Sequence, residues 1–277
     1  MKKVAVLVSD NLLPGSTDTR VDVFELDEEM SKLTPAFAAA GMDVELLRWR
    51  DAAENAENYD AYLPLFVWDY FEENEAAFMM EMQKAGEKTR LLNPVNVLRW
   101  NATKTYLDDL KQMGAPVIET YNLDRVTQAG VTKAMASLGA DKVVIKPQIG
   151  GGAWRQVLYN KGDPFPSRDE LPPQEAMVQA FLPNVLEEGE YSFLYFGGQF
   201  SHAVQKRPKK GDYRIQSSYG GTEETYSPTN QERGSARAVL DALDYTPLYA
   251  RVDLIRGLDG RLKLIELEMI ELETMAF

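Results

Sequence analysis

Apolar positions change their spacing from segment to segment along the chain, and the spacing predicts the elements. Residues 4–8 (Val-Ala-Val-Leu-Val) form a short continuous apolar run closed by Ser9-Asp10. That is the pattern of a strand buried on both faces of a parallel sheet and ending at a functional edge. The polar stretch 10–20, with Pro14-Gly15 inside it, predicts a loop. Helical spacing then runs over residues 21–40 and stops at Gly41, with Pro35 expected to break or restart the helix. Residues 44–49 and 61–67 predict the second and third strands, and residues 70–84 return to a helical period that Gly86 ends. Strand and helix alternating in this way predict a small α/β domain on a parallel sheet.

Asn93-Pro94 punctuates a boundary, after which residues 101–113 predict a helix with Asn101 as its N-cap. A short strand at 117–118, a helix over 124–138 ending at Gly139, and a strand over 142–146 follow. The Pro-rich, charged stretch 161–173 reads as a loop, and residues 177–182, 190–196 and 200–206 read as strands. A helix over 230–243 precedes a terminal hairpin, 251–255 and 264–268, turned at Asp259-Gly260. Because side chains alternate along a strand, Glu266 and Glu268 are expected on one face and Ile265 and Leu267 on the other. Asp253 on the partner strand can point to the same face as the two glutamates. An acidic hairpin of this kind is either a solvated edge or, where the carboxylates are gathered, a site for a hard cation such as Mg²⁺.

Composition narrows the choices. At 277 residues the chain is long enough for two or three modest domains. No apolar run approaches a membrane span, and the N-terminus reads as a strand rather than a signal peptide. With no cysteine, disulfides and thiolate catalysis drop out, which fits a cytoplasmic location. The single histidine, His202, falls in an alternating strand pattern and reads as structural. A net charge of −13 argues against nonspecific binding of nucleic acid. Chemistry is therefore left to Asp, Glu, Lys, Arg and bound ligands.

Two further motifs fit that inventory. Lys146 stands at the end of an apolar strand, followed by Pro147 and the run Gly150, Gly151, Gly152. A lysine there calls for an anion, and glycines let backbone N–H groups approach phosphate oxygens. The order of a Walker A loop is absent. The segment 206–214 then packs five cations, including Lys206, Arg207 and Arg214, into nine residues of an otherwise acidic protein. Arginine forks suit carboxylate and transferring phosphoryl groups, so this segment reads as an anion clamp.

Taken in order, these motifs resemble the ATP-grasp superfamily. Lys104 on a helix after the boundary, Ile145-Lys146-Pro147 with its glycine loop, Gln179-Ala-Phe181-Leu182-Pro183 and Glu190 resemble the nucleotide half. The segment 206–214, Gly220-Gly221, Asp253 and Glu266-Leu-Glu268 resemble the catalytic half, and the likeness is to the glutathione synthetase and ribosomal-protein glutamate ligase branch. The resemblance implies an α/β protein: an N-terminal parallel-sheet domain (residues 1–94), then a two-lobed ATP-grasp fold with a lid and nucleotide lobe (95–180) and a catalytic and metal lobe (181–277). It implies that Lys104 and Lys146 contact ATP phosphates under a mobile lid of Gly150, Gly151 and Gly152. Gln179, Phe181 and Leu182 would border adenine, and Glu190 would bind ribose. Asp253, Glu266 and Glu268 would hold Mg²⁺, with Mn²⁺ as the alternative, and Arg214 would face an acyl phosphate. The branch often carries Glu-x-Asn where this chain has Glu266-Leu-Glu268, which leaves the number of metal ions open. Only nine residues follow Glu268, so a C-terminal substrate loop is expected to be short or missing.

The function so implied is an ATP- and Mg²⁺-dependent carboxylate–amine ligase that forms an acyl phosphate on a small amino-acid-like or peptide substrate. Its expected partners are a small-molecule carboxylate and an amine, with neither nucleic acid nor membrane, and a homodimer as an option. One alternative is an intramolecular cyclase of the cycloserine-forming type. Another is a non-catalytic nucleotide-binding protein on the same scaffold. Substrate contacts are expected from the loop at 10–20, chiefly Arg20, and from residues 68–71. Trp68, Trp100 and Trp154 stay open between packing and site walls.

Overall fold

The computed structural model of the chain describes residues 1–20, 22–72 and 74–271. The expected helix start at Val21 and the end of the C-terminal tail lie outside the described residues. Strands β1 (Lys2–Val8), β2 (Met42–Arg48), β3 (Ala61–Phe66) and β4 (Arg90–Leu91) form a parallel sheet in the order β2-β1-β3-β4, with helices α1 (Val23–Ala39) and α2 (Glu75–Gly86). The continuous apolar run of β1 has a direct cause. Ala5 and Leu7 pack with Phe78 and Met82 of α2, while Val4, Val6 and Val8 pack with Leu26 and, more loosely, Leu33 and Phe37 of α1. Both faces are covered, so neither needs polar residues. Pro35 does not break α1, contrary to expectation. It is exposed, so the backbone carbonyl deprived of a partner faces water, and the Ala40 N–H still bonds Ala36 O at 3.1 Å.

Beyond this unit come two short helices, α3 (Val95–Asn101) and α4 (Tyr106–Gln112), where one helix was expected. A four-stranded antiparallel sheet follows. Strand β5 (Thr120–Leu123) leads to α5 (Gln128–Leu138), β6 (Lys142–Pro147), β7 (Val157–Asn160) and β8 (Ala176–Ala180), in the order β5-β8-β6-β7. Helix α5 is capped by Thr127, whose Oγ1 accepts from Gly130 N, and it buries Val131, Ala134 and Met135 against Val143, Ile145 and Val178.

The last sheet follows the short helix α6 (Asn184–Glu187). It holds β9 (Glu190–Phe196), β10 (Gln199–Arg207), β11 (Thr222–Tyr226), β12 (Tyr249–Arg256) and β13 (Leu262–Glu268), with α7 (Asn230–Asp241) between β11 and β12. Its order is β11-β10-β9-β12-β13, antiparallel throughout. One face is apolar: Tyr191, Phe193, Val252, Leu254 and Leu267 pack with Ala236 and Val239 of α7 and with Leu107 and Leu110 of α4. Residues 95–118 therefore share a core with this five-stranded sheet, although the expected domain boundaries group them with the four-stranded one. The strands not foreseen, β4, β5, β7 and β11, are two to five residues long, and β11 is nearly all exposed, so none carries a clean alternation.

Asn101 ends α3 instead of capping a helix. Its side-chain amide donates to Leu267 O at 2.7 Å and its oxygen accepts from Met269 N at 2.8 Å. Asn93 acts in the same way, donating to Tyr249 O and Met269 O and accepting from Leu248 N. These buried amides supply the backbone partners that β13 lacks at its end. Asn101→Ala leaves two buried backbone groups unpaired and is expected to cost about 2–4 kcal/mol, read as a lower urea midpoint at unchanged m-value.

Candidate active site

The second face of the five-stranded sheet is polar. Arg251 and Asp253 of β12, Glu190 and Ser192 of β9, Lys206 of β10, and Glu266 and Glu268 of β13 fall together by register. Asp253 stands opposite both Glu266 and Ser192, Arg251 opposite Glu268, and Lys206 opposite Glu190. The pairing shifts between Asp253 and Leu254, where Leu254 meets Leu264, so Ile265 is an extra residue in β13. Strict alternation placed Ile265 with Leu267. With the bulge, Leu264 and Leu267 enter the core while Ile265 joins Glu266 on the wall of a cavity.

Oxygens of Asp253, Glu266 and Glu268 lie within 4.8 Å of one another. Two cations hold this group together. Arg251, itself buried, gives Nε to both oxygens of Asp253 at 3.0 Å and Nη2 to Glu268 at 2.7 Å. Lys104, between α3 and α4, reaches Glu266 at 3.0 Å and donates to the carbonyl of Gly150. The electrostatics show the strain of the gathering. Burial, then repulsion from Asp253, pushes Glu190 up to about 8. Burial also drives Glu268 well above the ordinary carboxylate range, against the pull of Arg251. Burial opposes ionisation of Glu266 too, yet Lys104 and Lys146 hold it below its usual value. Three hard oxygen donors, closer than their charges favour, fit a divalent cation such as Mg²⁺.

A cavity of about 120 Å³ lies between the two antiparallel sheets. Alternation on β6 and β8 sends Val143, Ile145 and Val178 to the core and turns Val144, Lys146 and Gln179 to the cavity. Lys104 and Gly150, Gly151 and Gly152 form one end; Phe181, Leu182, Val185 and Ile255 form an apolar slot at the other. A Cβ at Gly151 would sit 3.0 Å from Phe71 Cε1, so a larger residue would press this loop against the N-terminal domain. A second cavity, about 280 Å³, adjoins the first and shares Gly151, Gly152, Glu190, Ile215, Gln216 and Glu266 with it. Its other walls include Arg20, Trp68 and Phe71 of the N-terminal domain, with Lys206, Arg251, Asp253, Glu268 and Glu271.

Known proteins resemble this chain in sequence and fold. Residues 4–93 match the family model of the N-terminal domain of D-cycloserine synthetase DcsG. The cycloserine biosynthesis protein DcsG of Streptomyces lavendulae is 26% identical over 261 residues, 89% of this chain and 87% of that protein. A crystal structure of D-cycloserine synthetase DcsG is similar with a TM-score of 0.83 at 24% identity, over 98% of this chain and 92% of that one. D-alanine–D-alanine ligase from Bacillus anthracis follows with 0.66 at 16% identity, over 98% and 87%. The ATP-grasp ligase PsnB, solved with its minimal precursor, Mg and ADP, gives 0.61 at 15% identity, over 97% and 89%. The chain has the ATP-grasp fold.

Within this ATP-grasp fold most of the residues singled out from sequence border one of the two cavities. Lys104, Lys146, the three glycines, Gln179, Phe181, Leu182, Glu190, Arg214 and Glu266 line the first; Lys206, Asp253 and Glu268 line the second. Arg207 lines neither. It is half-exposed, pairs with Glu224 and donates to Gln205, because the end of β10 turns it outward. Arg214 is bound through Nε and Nη2 to Asp212 and lies 3.7 Å over the Tyr219 ring, on the wall of the first cavity. The buried cation among the carboxylates is instead Arg251. Its position two residues before Asp253 is the signal that places it on the same strand face. Glu271 was also overlooked, since it follows β13 and no strand period reaches it. Among the tryptophans, Trp68 and Trp154 border cavities, whereas Trp100 donates to Asp109 and packs on Tyr106. No described helix is long and apolar enough to cross a membrane.

Glu190 gives a pH signature. Its folded pKa, about 8, is above that of an ordinary carboxylate, so the native protein binds this proton more tightly than the unfolded chain does. The stability it contributes is present at acid pH and lost as pH rises through about 8. Between pH 5 and 8 the metal-free protein is expected to lose about 1–3 kcal/mol more than Glu190→Gln, read from denaturant titrations at each pH. Parallel pH profiles for the two proteins would refute the burial of a protonated Glu190.

Proposed function

We propose that this protein is an ATP- and Mg²⁺-dependent ligase that joins a carboxylate to an amine through an acyl phosphate, on a small amino-acid-like or peptide substrate. The observation that carries the reading is the meeting of the two cavities at Glu190 and Glu266. One side offers lysines, glycine N–H groups and an apolar slot, the other a buried arginine and open space for a small molecule. Lys104, Lys146 and the glycine loop receive the phosphates of ATP, Gln179, Phe181 and Leu182 border adenine, and Glu190 faces the ribose end. Asp253, Glu266 and Glu268 would hold Mg²⁺, which would supply neutralisation of phosphate charge.

In the reaction, a substrate carboxylate oxygen attacks the γ-phosphorus, the bond to ADP breaks, and an acyl phosphate forms. An amine then attacks the acyl carbon, loses a proton and expels inorganic phosphate. No protein nucleophile is required, in keeping with a chain that has no cysteine and one histidine. The residues act by position and charge: Lys146 and Lys104 on the transferring group, and the Arg251 fork beside the oxygen that gains charge at the acyl carbon.

A second reading, in which the amine belongs to the same molecule and a ring closes, is favoured by the similarity to the cycloserine biosynthesis protein across 89% of the chain. Incubation with ATP, Mg²⁺ and a panel of amino acids and their derivatives is expected to release ADP and phosphate, and Glu266→Gln is expected to lower the rate about 10²-fold or more. Product mass separates the readings: two substrates minus water for ligation, one substrate minus water for cyclisation. No ADP from any member of the panel, with nucleotide affinity unchanged in Glu266→Gln, would end the proposal.

A further inference from the structure

The apolar end of the first cavity is shared between the two antiparallel sheets. Phe181 is tied to the four-stranded one: its N–H bonds Lys142 O at 2.9 Å, and the Lys142 ammonium rests 4.2 Å from the centre of its ring. Ile255 belongs to β12 of the five-stranded sheet, and Leu182 and Val185 lie on the connector between the two sheets. The width of the slot therefore depends on where that connector is held.

It is held from the far side of the five-stranded sheet. Arg256 follows Ile255 on β12, so its side chain leaves on the face that packs against α7, and it lines neither cavity. Its Nε donates to Glu188 Oε2 at 2.6 Å, just past the end of α6, and its Nη2 donates to Glu232 Oε1 at 2.8 Å, in α7. Charge-assisted bonds of this length are the strong ones. Both acceptors have further partners. Glu188 Oε2 also accepts from the Tyr191 hydroxyl, and Glu232 Oε2 accepts from Thr229 N in the cap of α7 and from the Tyr226 hydroxyl. The connector is bonded to the same sheet at two more points. Asn184 donates its amide to Arg256 O at 2.9 Å, and Gln205 of β10 donates to Glu188 O at 2.6 Å. A Cβ at Gly189 would overlap the Lys206 carbonyl, and φ there is +84°, so the chain passes this close to β10 on a glycine. Val185 is thus fixed to β12, whereas Phe181 is fixed to β6.

We propose that Arg256, acting through Glu188, is a positioning residue for the base of the nucleotide: it sets the width of the apolar slot without touching the ligand. This rests on the reading of the first cavity as a nucleotide site. A flat heteroaromatic base is held in such a slot by contact on both faces, and a gap of about 1 Å on one face forfeits much of that contact. Removing the guanidinium frees the end of the connector and lets Val185 draw back. Lys104, Lys146 and the glycine loop, at the other end, keep their own partners. The base then loses contact and the phosphates do not.

The test uses the full chain with Mg²⁺, titrated calorimetrically with a non-hydrolysable ATP analogue and with inorganic tripolyphosphate, which has no base. Arg256→Ala is expected to weaken the analogue roughly 10-fold and to leave tripolyphosphate within about twofold of the wild type. Arg256→Lys, which can still reach one carboxylate, is expected to recover part of the loss. Glu188→Gln is expected to weaken the analogue as well. Arg256→Ala combined with Glu188→Gln is expected to lose no more than Arg256→Ala alone, since both act through one contact. The proposal is overturned if Arg256→Ala binds the analogue like the wild type, if tripolyphosphate is weakened equally, or if the losses add in the double variant. A wild-type protein that binds tripolyphosphate but not the analogue, or neither, removes the nucleotide reading and the proposal with it. Analogue binding that Arg256→Ala leaves unchanged removes the proposal alone.

Discussion

The structure depends on how one buried arginine and one lysine hold three carboxylates together. Arg251 spans Asp253 and Glu268, and Lys104 reaches Glu266 from another part of the chain. Removed from water, like charges this close would force the strands apart or take up protons. Glu190 and Glu268 do shift toward the protonated form, while Glu266 stays ionised beside two lysines. The five-stranded sheet can present this face because its other side is packed with aromatic and aliphatic residues against α4 and α7. Core burial stabilises the sheet, and the charged face draws on that stability.

The same division recurs in the smaller antiparallel sheet, where Lys146 and Gln179 face inward to the cavity and their strand neighbours pack on α5. The N-terminal domain supplies the third wall through Arg20, Trp68 and Phe71. Asn93 and Asn101 tie the connecting segment to the end of β13 by buried amide hydrogen bonds. The wall of the second cavity and the carboxylates are thereby fixed in one frame, as a reaction governed by positioning requires.

Much of this was legible in the sequence where a single physical rule decides the outcome. The continuous apolar run of β1 announced a parallel sheet, and a lysine followed by glycines marked residues that meet at one cavity. Alternation placed Glu266, Glu268 and Asp253 on one face, where their oxygens do gather. What could not be read depends on tertiary contact. Asn101 fits the rule for an N-cap, but the partners that satisfy it are backbone groups of β13, far away in the chain. Arg207 and Arg214 share a basic run, yet the direction each fork takes is set by Glu224 and Asp212. The two-residue period of β13 also failed at Ile265, because a bulge leaves no mark in the hydrophobic pattern.

That bulge changes what one strand can do. A regular strand divides its residues equally between core and ligand, so neighbouring positions never serve the same side. By inserting Ile265, β13 delivers an oily contact and an acidic one from adjacent residues, the first to the wall of the first cavity and the second to the carboxylate cluster. The distance between the apolar cavity wall and the carboxylates is thereby set within a single peptide unit. Side-chain changes at Ile265 then alter the cavity wall without touching the core, whereas removal of the residue would restore plain alternation, keeping Leu264 and Leu267 in the core and taking the oily contact out of the cavity.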